Sequence, residues 1–181
     1  MTDAEALLEA KNLFTSHIEF VEKLKARSDT DLKWKPDSES WSSFQILDHL
    51  EIAGAVYLDR MQEALDNAPA SGHGREYLPT WMGRTLRKLS GPDGNAKPPK
   101  MFLPRPNPDR EVMDKLVSQW NRFLDMIERS ISRDVTQATI KSPALPFPKM
   151  SLLDALLIHA DHGVRHLGQI EDRLRIIDLQ S

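Results

Sequence analysis

The sequence predicts an all-α fold, a four-helix bundle with a long irregular crossover between its second and third helices. Four stretches carry apolar residues at the three- and four-residue spacing of amphipathic helices, and each begins with a pattern typical of a helix start. The connection between the second and third stretches, residues 69–107, interrupts this spacing and holds most of the prolines and glycines. Four amphipathic helices joined by one long connection are typical of a helical bundle.

The composition limits the domain organisation and the partners. A chain of 181 residues is long enough for one hydrophobic core, so we expect a single domain over residues 1–181. A net charge of −3 predicts neither nucleic-acid nor membrane binding. The N-terminal segment is unlike a signal peptide and no apolar run reaches the length of a membrane span, which predicts a cytoplasmic protein. Because the chain has no cysteine, only His, Asp and Glu remain as metal ligands.

The first helix is expected to run from Thr2 to about Arg27. Thr2 and Glu5 form a capping-box pattern, in which each side chain accepts a hydrogen bond from the other residue's backbone. The apolar residues of this stretch recur at helical spacing and should face the core: Leu7, Phe14, Ile18, Val21 and Leu24. His17 also lies on this helix, and we interpret it as a solvated or locally hydrogen-bonded side chain.

The second helix is predicted to start at Ser42, after a polar stretch, residues 28–41, that is expected to form a loop. Gln45 completes a second capping box with Ser42. His49 falls within the apolar face of this helix, where an imidazole needs partners for its nitrogens. A hydrogen-bonded core histidine and a metal ligand both satisfy that need. Two aromatic residues of the polar stretch should pack the end of the bundle: Trp34 and Trp41.

The third helix is predicted to begin at Asn107-Pro108, because proline is favoured at the first helical position. It should end near Ser132, and its core face comprises Val112, Leu116, Trp120, Phe123, Leu124 and Ile127. A segment with three prolines, residues 142–149, then leads to the last helix.

The last helix, predicted over residues 151–175, carries three of the six histidines. Ser151 is the expected cap, with Asp154 in the first turn. His162 and His166 are four residues apart and therefore lie on one face, beside the apolar stripe of the helix. His159 lies three residues before His162 and seven before His166, and we expect it outside any shared site.

Two imidazoles at i and i+4 can bind one metal ion, and a third ligand must then come from another helix. His49 is the histidine predicted to lie within the core face of a different helix. His49, His162 and His166 would form a three-histidine set suited to zinc, nickel or ferrous iron. Three protein ligands leave a position for water or substrate, which is typical of a catalytic site. Gln45 and Gln169 lie one turn from these histidines and are candidates for hydrogen bonding to them.

Three short motifs carry a family resemblance: Trp41-Ser42, His49 in ILDHLE, and HADHGVRHLGQIEDRLR near the C-terminus. Together they resemble the DinB-like (YfiT-like) superfamily of metalloenzymes. The resemblance implies an up-down-down-up four-helix bundle and a divalent metal held by one histidine of the second helix and two of the fourth. Transferred to this sequence, those ligands are again His49, His162 and His166. The metal implied is zinc or nickel, with iron or manganese as alternatives.

The resemblance also implies a function. Some relatives are similar to thiol-dependent transferases or isomerases that use low-molecular-weight thiols, so we expect a small-molecule substrate and a metal that activates a thiol or water. The activity would then be S-transfer or hydrolysis. The alternative is a non-enzymatic metal-binding or interaction bundle with a structural or vestigial site. The sequence leaves the oligomeric state open, and a homodimer is one expectation.

The crossover is the basic part of an otherwise acidic chain. Residues 69–107 contain seven Lys and Arg but only two acidic residues. Because thiol cosubstrates are anionic, we predict that this segment covers one side of the metal site. A short helix is expected over residues 80–89, with Arg84 and Arg87 on one face as the anion contacts. The alternative is a solvated connection away from the metal.

Overall fold

The computed structural model describes residues 1–70, 74–142 and 149–180. Six α-helices account for most of this part of the chain: α1 Asp3–Leu24, α2 Asp29–Lys33, α3 Ser43–Asp66, α4 Trp81–Ser90, α5 Glu111–Arg129 and α6 Leu152–Gln180. This part of the chain also contains two 3₁₀ helices, Lys100–Phe102 and Ser130–Ser132. A two-stranded antiparallel sheet is formed by β1 Thr139–Lys141 and β2 Lys149–Ser151. The predicted all-α fold class is confirmed.

The four long helices enclose one core. Helix α1 packs against α5 and α6, and α3 packs against the same two helices. Each of them contributes fully buried side chains to the interior: Phe14, Phe44, Leu116, Phe123 and Leu153. The helical spacing of apolar residues therefore identified the faces that pack together. The up-down-down-up order of helix directions stays a prediction. None of the described helices is long and apolar enough to cross a membrane.

The helix caps explain where three of these helices begin. Thr2 and Ser42 each accept a hydrogen bond from the backbone of the third helical residue, and the side chains of Glu5 and Gln45 accept in return. Both predicted capping boxes are thus confirmed. Ser151 Oγ likewise accepts from the backbone N–H of Asp154 at 3.0 Å, ahead of α6. These bonds satisfy backbone donors that a helix start otherwise leaves without partners.

Two local expectations were wrong, and one small element was not predicted. The stretch 28–41 is not all loop, because Ser28 caps the short helix α2. Helix α5 begins at Glu111 rather than at Pro108, and Asp109 Oδ1 accepts a hydrogen bond from the backbone N–H of Glu111 at 3.0 Å. The strands β1 and β2 were not predicted, since each has only three residues and they flank the proline-rich segment. Most of that segment, residues 143–148, lies outside the described residues.

The crossover between α3 and α5 contains α4, close to the predicted limits, and is tied to the bundle by ion pairs. Arg87 of α4 donates to Asp161 of α6 and to Glu9 of α1. Farther along, Arg105 binds the fully buried carboxylate of Asp48 through its backbone N–H at 2.7 Å and through its guanidinium. Arg87 and Arg105 therefore hold the crossover against α1, α3 and α6.

Candidate metal centre

Helices α3 and α6 bring three histidines together inside the bundle. His49 comes from α3, and His162 and His166 come from successive turns of α6. One nitrogen from each ring lies within 4.8 Å of a nitrogen from each of the others. The ring centroids are 4.5–4.9 Å apart. The structure thus assembles the three residues that the sequence predicted as a set.

The hydrogen bonds of His49 and His166 determine which ring nitrogen faces the cluster. His49 Nδ1 donates to the backbone carbonyl of Phe102 at 2.6 Å. His166 Nδ1 donates to Gln169 Oε1 at 2.9 Å. Because each Nδ1 carries the proton in the neutral ring, each Nε2 keeps a free lone pair. Both partners therefore orient a ligand nitrogen, as groups around metal-binding histidines do.

The spacing of the nitrogens suits a metal ion. His49 Nε2 and His162 Nε2 lie 3.2 Å apart. Two imidazole nitrogens bound to one zinc ion at tetrahedral angles would be roughly 3.4 Å apart, given Zn–N distances of about 2.0–2.1 Å. The three residues could therefore hold a metal ion with little rearrangement of these two rings.

Burial keeps the three imidazoles neutral. His49 and His166 are buried, and His162 is half-buried. Desolvation is the main cause that lowers the pKa of all three, and it lowers the pKa of His166 to about 3. Neighbouring imidazoles lower the pKa further, because two positive charges would repel each other: His166 and His49 act on His162, and His49 acts on His166. Neutral rings can bind a metal near pH 7 without first losing a proton.

The cluster forms part of the wall of a cavity of about 530 Å³. That volume is in the range of small-molecule sites. Apolar side chains make up much of the remaining wall, among them Ala53, Leu86, Phe102, Met150 and Ile158. Trp41 also lines the cavity, with its ring 5.0 Å from that of His49 and 6.5 Å from that of His166. Trp41 therefore packs beside the histidine cluster, whereas the sequence predicted only that it packs at the end of the bundle.

Comparison with known protein families agrees with this arrangement. The sequence model of the DinB superfamily matches residues 16–170, which span most of the chain and include all three clustered histidines. The chain belongs to the DinB superfamily. No curated protein and no solved structure gives a significant match.

In this DinB protein two other histidines have different surroundings. His17 Nε2 donates to the backbone carbonyl of Ala160 at 2.8 Å, which makes it a buried link between α1 and α6. His159 is buried between the rings of Tyr57 and Phe123, at centroid distances of 5.1 and 5.4 Å, and lines the cavity outside the cluster. Both therefore lie outside the group of three. His73 is outside the described residues.

Arg84 and Arg87 do not line the cavity, where they were predicted to contact an anion. Arg87 is committed to the carboxylates of Asp161 and Glu9, and Arg84 donates to the backbone carbonyl of Pro79 at 2.7 Å. Neither residue lines the cavity, although their neighbours in α4, Leu86 and Leu89, do. The crossover does border the cavity, but these two guanidinium groups point elsewhere.

Sequence reasoning also misplaced or missed groups that hold the site. Gln45 is not a hydrogen-bond partner of His49: its amide donates to the backbone carbonyls of Arg105 and Pro106. The Phe102 carbonyl that orients His49 was not predicted, because a backbone group in an irregular segment gives no sequence signal. The acidic residue Asp48, on the buried face beside His49, was a usable signal, since a buried carboxylate needs a charged partner. Its partner Arg105 fixes the segment that carries Phe102.

Proposed function

We propose that this DinB protein is a divalent-metal-dependent enzyme acting on a small molecule bound in the cavity beside the three histidines. One observation carries the proposal: His49, His162 and His166 present neutral imidazoles to a shared point on the wall of that cavity. A purely structural metal site would have no need of an adjoining cavity. Zinc or nickel suits this donor set best, and iron or manganese is the alternative.

The donor set fits a catalytic metal better than a structural one. Among residues 1–70, 74–142 and 149–180, no fourth His, Asp or Glu joins the group. Structural zinc sites normally use four protein ligands, whereas three leave a coordination position for a reactant. When bound, a divalent ion supplies the Lewis acidity that ionises water or a thiol near neutral pH.

The protein's own residues would position the reactants. Phe102 O and Gln169 Oε1 hold the imidazoles of His49 and His166 in one orientation. The apolar wall lowers the amount of water around the reacting groups, which strengthens electrostatic interactions there. We propose S-transfer from a low-molecular-weight thiol, or hydrolysis, as the reaction class. A cytoplasmic location and a homodimer stay predictions.

Metal content tests the proposal directly. The parent, purified without a histidine tag, should contain about one divalent ion per chain. Single His49→Ala, His162→Ala and His166→Ala variants should each lose most of it. His159→Phe is the matched control, because it removes a buried imidazole from the same helix outside the cluster. Unchanged metal content in all three alanine variants would refute the site.

A second measurement separates the enzyme from a non-enzymatic metal-binding bundle. Cobalt(II)-substituted protein should develop a thiolate-to-cobalt absorption band when 2-mercaptoethanol is added, because an open coordination position admits the sulfur. A cobalt spectrum that changes with neither thiol nor pH would indicate a closed site. That result would favour the structural alternative.

A further inference from the structure

Two arginines of α6 line the same cavity as the histidine cluster. Arg165 directly precedes His166, and Arg173 follows Gln169 by one turn. Arg173 is fixed by hydrogen bonds from Nε to the Trp41 carbonyl at 2.9 Å and from Nη1 to the Gln169 carbonyl at 2.7 Å. Since a guanidinium has five N–H donors, three donors of Arg173 have no partner in these bonds.

Arg165 has even fewer partners. Its described hydrogen bond runs from Nη1 to the Leu89 carbonyl at 3.5 Å, which is long for an N–H···O bond. Burial lowers the pKa of Arg165 and is also the main cause that lowers the pKa of Arg173. Both side chains nevertheless stay charged, because an arginine in water titrates far above neutral pH.

Neither arginine forms an ion pair within the described part of the chain. Other arginines of this region do: Arg87 pairs with Asp161, and Arg175 pairs with Asp172 at 3.5 Å. Asp161 and Asp172 are thus paired with other arginines, and Asp37 and Asp172 act on Arg173 only from beyond ion-pair distance. Glu39 is the one carboxylate among the described residues of the cavity wall, and it is exposed. Among the described residues, the two half-buried positive charges therefore face a largely apolar cavity with no carboxylate close enough for an ion pair.

Their positions on the helix relate them to the metal centre. His162, His166, Gln169 and Arg173 follow one another at four-, three- and four-residue steps, so they form a single stripe along α6. Arg173 lies about 10 Å along the axis from His166, whereas Arg165 is nearly level with His166 and roughly 100° to one side of it. A ligand that spans from these arginines to the histidines would therefore lie along one helix wall.

We propose that the cavity binds a small organic carboxylate, with the carboxylate on Arg165 and Arg173 and its apolar body directed along the wall to the three-histidine centre. A planar guanidinium matches the two oxygens of a carboxylate, and the apolar walls suit a hydrocarbon body. This inference deepens the proposed function, on which it rests for the idea that the bound molecule is a substrate. The binding itself can be tested without turnover.

Phenylacetate and its neutral isostere phenylacetamide are suitable probes, with binding measured by titration calorimetry on the metal-loaded protein. The parent should bind phenylacetate at least tenfold more tightly than the amide. Arg165→Gln and Arg173→Gln should each weaken phenylacetate binding about tenfold, since each removes a charge-assisted contact, and leave amide binding unchanged. Arg175→Gln is the matched control: it removes an exposed, paired arginine of the same helix and should bind phenylacetate like the parent.

A conservative lysine variant and a check of folding support the interpretation of the glutamine variants. Arg173→Lys keeps the charge but loses the planar fork, so it should retain a reduced preference for phenylacetate over the amide. Circular dichroism establishes that each variant is folded. Equal affinity of the parent for the two probes would overturn the inference, and so would parent-like phenylacetate binding by both glutamine variants.

The His49→Ala variant distinguishes this inference from the proposed function. If the arginines hold the carboxylate, the variant should keep the preference for phenylacetate even after it has lost the metal. Such a result would support the arginine site whether or not the protein is an enzyme. If the preference disappears with the metal while both glutamine variants keep it, the metal rather than the arginines binds the carboxylate. The inference would then be wrong and the proposed metal centre would stand.

Discussion

Replacing Gln169 by leucine should weaken metal binding while leaving the fold intact. In the structure Gln169 Oε1 accepts the Nδ1–H of His166 at 2.9 Å, which fixes the ring and presents its Nε2 to the cluster. Leucine has a similar size but no acceptor. The ring of His166 would lose this restraint, and its buried Nδ1–H would have no partner.

The size of the effect follows from this one bond. Loss of a hydrogen-bond partner of a metal-binding histidine typically lowers metal affinity by about 10–100-fold. A neutral hydrogen bond contributes about 1 kcal/mol, and a tenfold change in affinity corresponds to about 1.4 kcal/mol, so we expect a loss near tenfold. The free energy of unfolding of the metal-free protein should fall by about 1–3 kcal/mol, the cost of leaving the buried Nδ1–H of His166 without a partner.

Competition with a chromophoric chelator near neutral pH measures the zinc affinity. Gln169→Glu is the matched control, because its carboxylate can still accept from His166 and should bind zinc at least as tightly as the parent. The reasoning is refuted if Gln169→Leu binds zinc like the parent. It is equally refuted if the glutamate variant is as weak as the leucine variant.

Two further predictions concern stability, measured by urea unfolding of the metal-free protein. Burial lowers the pKa of His159 to about 4. Between about pH 6.5 and pH 4 the unfolded state therefore binds a proton at this residue that the folded state does not. This residue alone should lower the free energy of unfolding of the parent by about 3 kcal/mol as the pH falls through this window. His159→Phe should remove that part of the loss, and parallel pH profiles of the two proteins would contradict it. Gly83→Ala should destabilise the fold by about 2 kcal/mol, because its Cβ would overlap the buried carboxyl group of Asp154. Gly168→Ala, whose Cβ would meet no heavy atom within 4 Å, should instead be neutral or stabilising, and equal losses in both variants would exclude the steric explanation.

The helices and the histidine cluster could be predicted because they depend on local periodicity. Helical spacing puts His162 and His166 on one face of α6 whatever surrounds that helix. His49 could be added to this pair because it interrupts an apolar face, where a buried polar side chain needs a hydrogen-bond partner or a metal ion. The caps at Thr2, Ser42 and Ser151 are equally local, since each involves residues only three positions apart. Each of these inferences depends only on the spacing of residues within a single helix.

The partners of the crossover could not be predicted in the same way. Seven cations in residues 69–107 were equivalent in the sequence, and their pairing depends on which acidic residue the fold brings close. Arg87 meets Asp161 and Glu9, which are more than 70 positions away in opposite directions along the chain. Arg105 meets Asp48, 57 positions away. Helical periodicity contains no information about such contacts, so Arg84 and Arg87 were assigned to a ligand on charge alone.

The ion pairs of the crossover also help to explain which arginines at the cavity have no carboxylate partner. Two of the crossover's arginines, Arg87 and Arg105, bind carboxylates on the helices and thereby hold the crossover over the cavity. The arginines left without a carboxylate partner at the cavity, Arg165 and Arg173, belong to α6 itself. Side chains on a long packed helix are positioned more closely than those on a loop. The proposed carboxylate contacts therefore share one rigid element with His162 and His166, and any ligand they bind has a fixed reach to the histidine cluster.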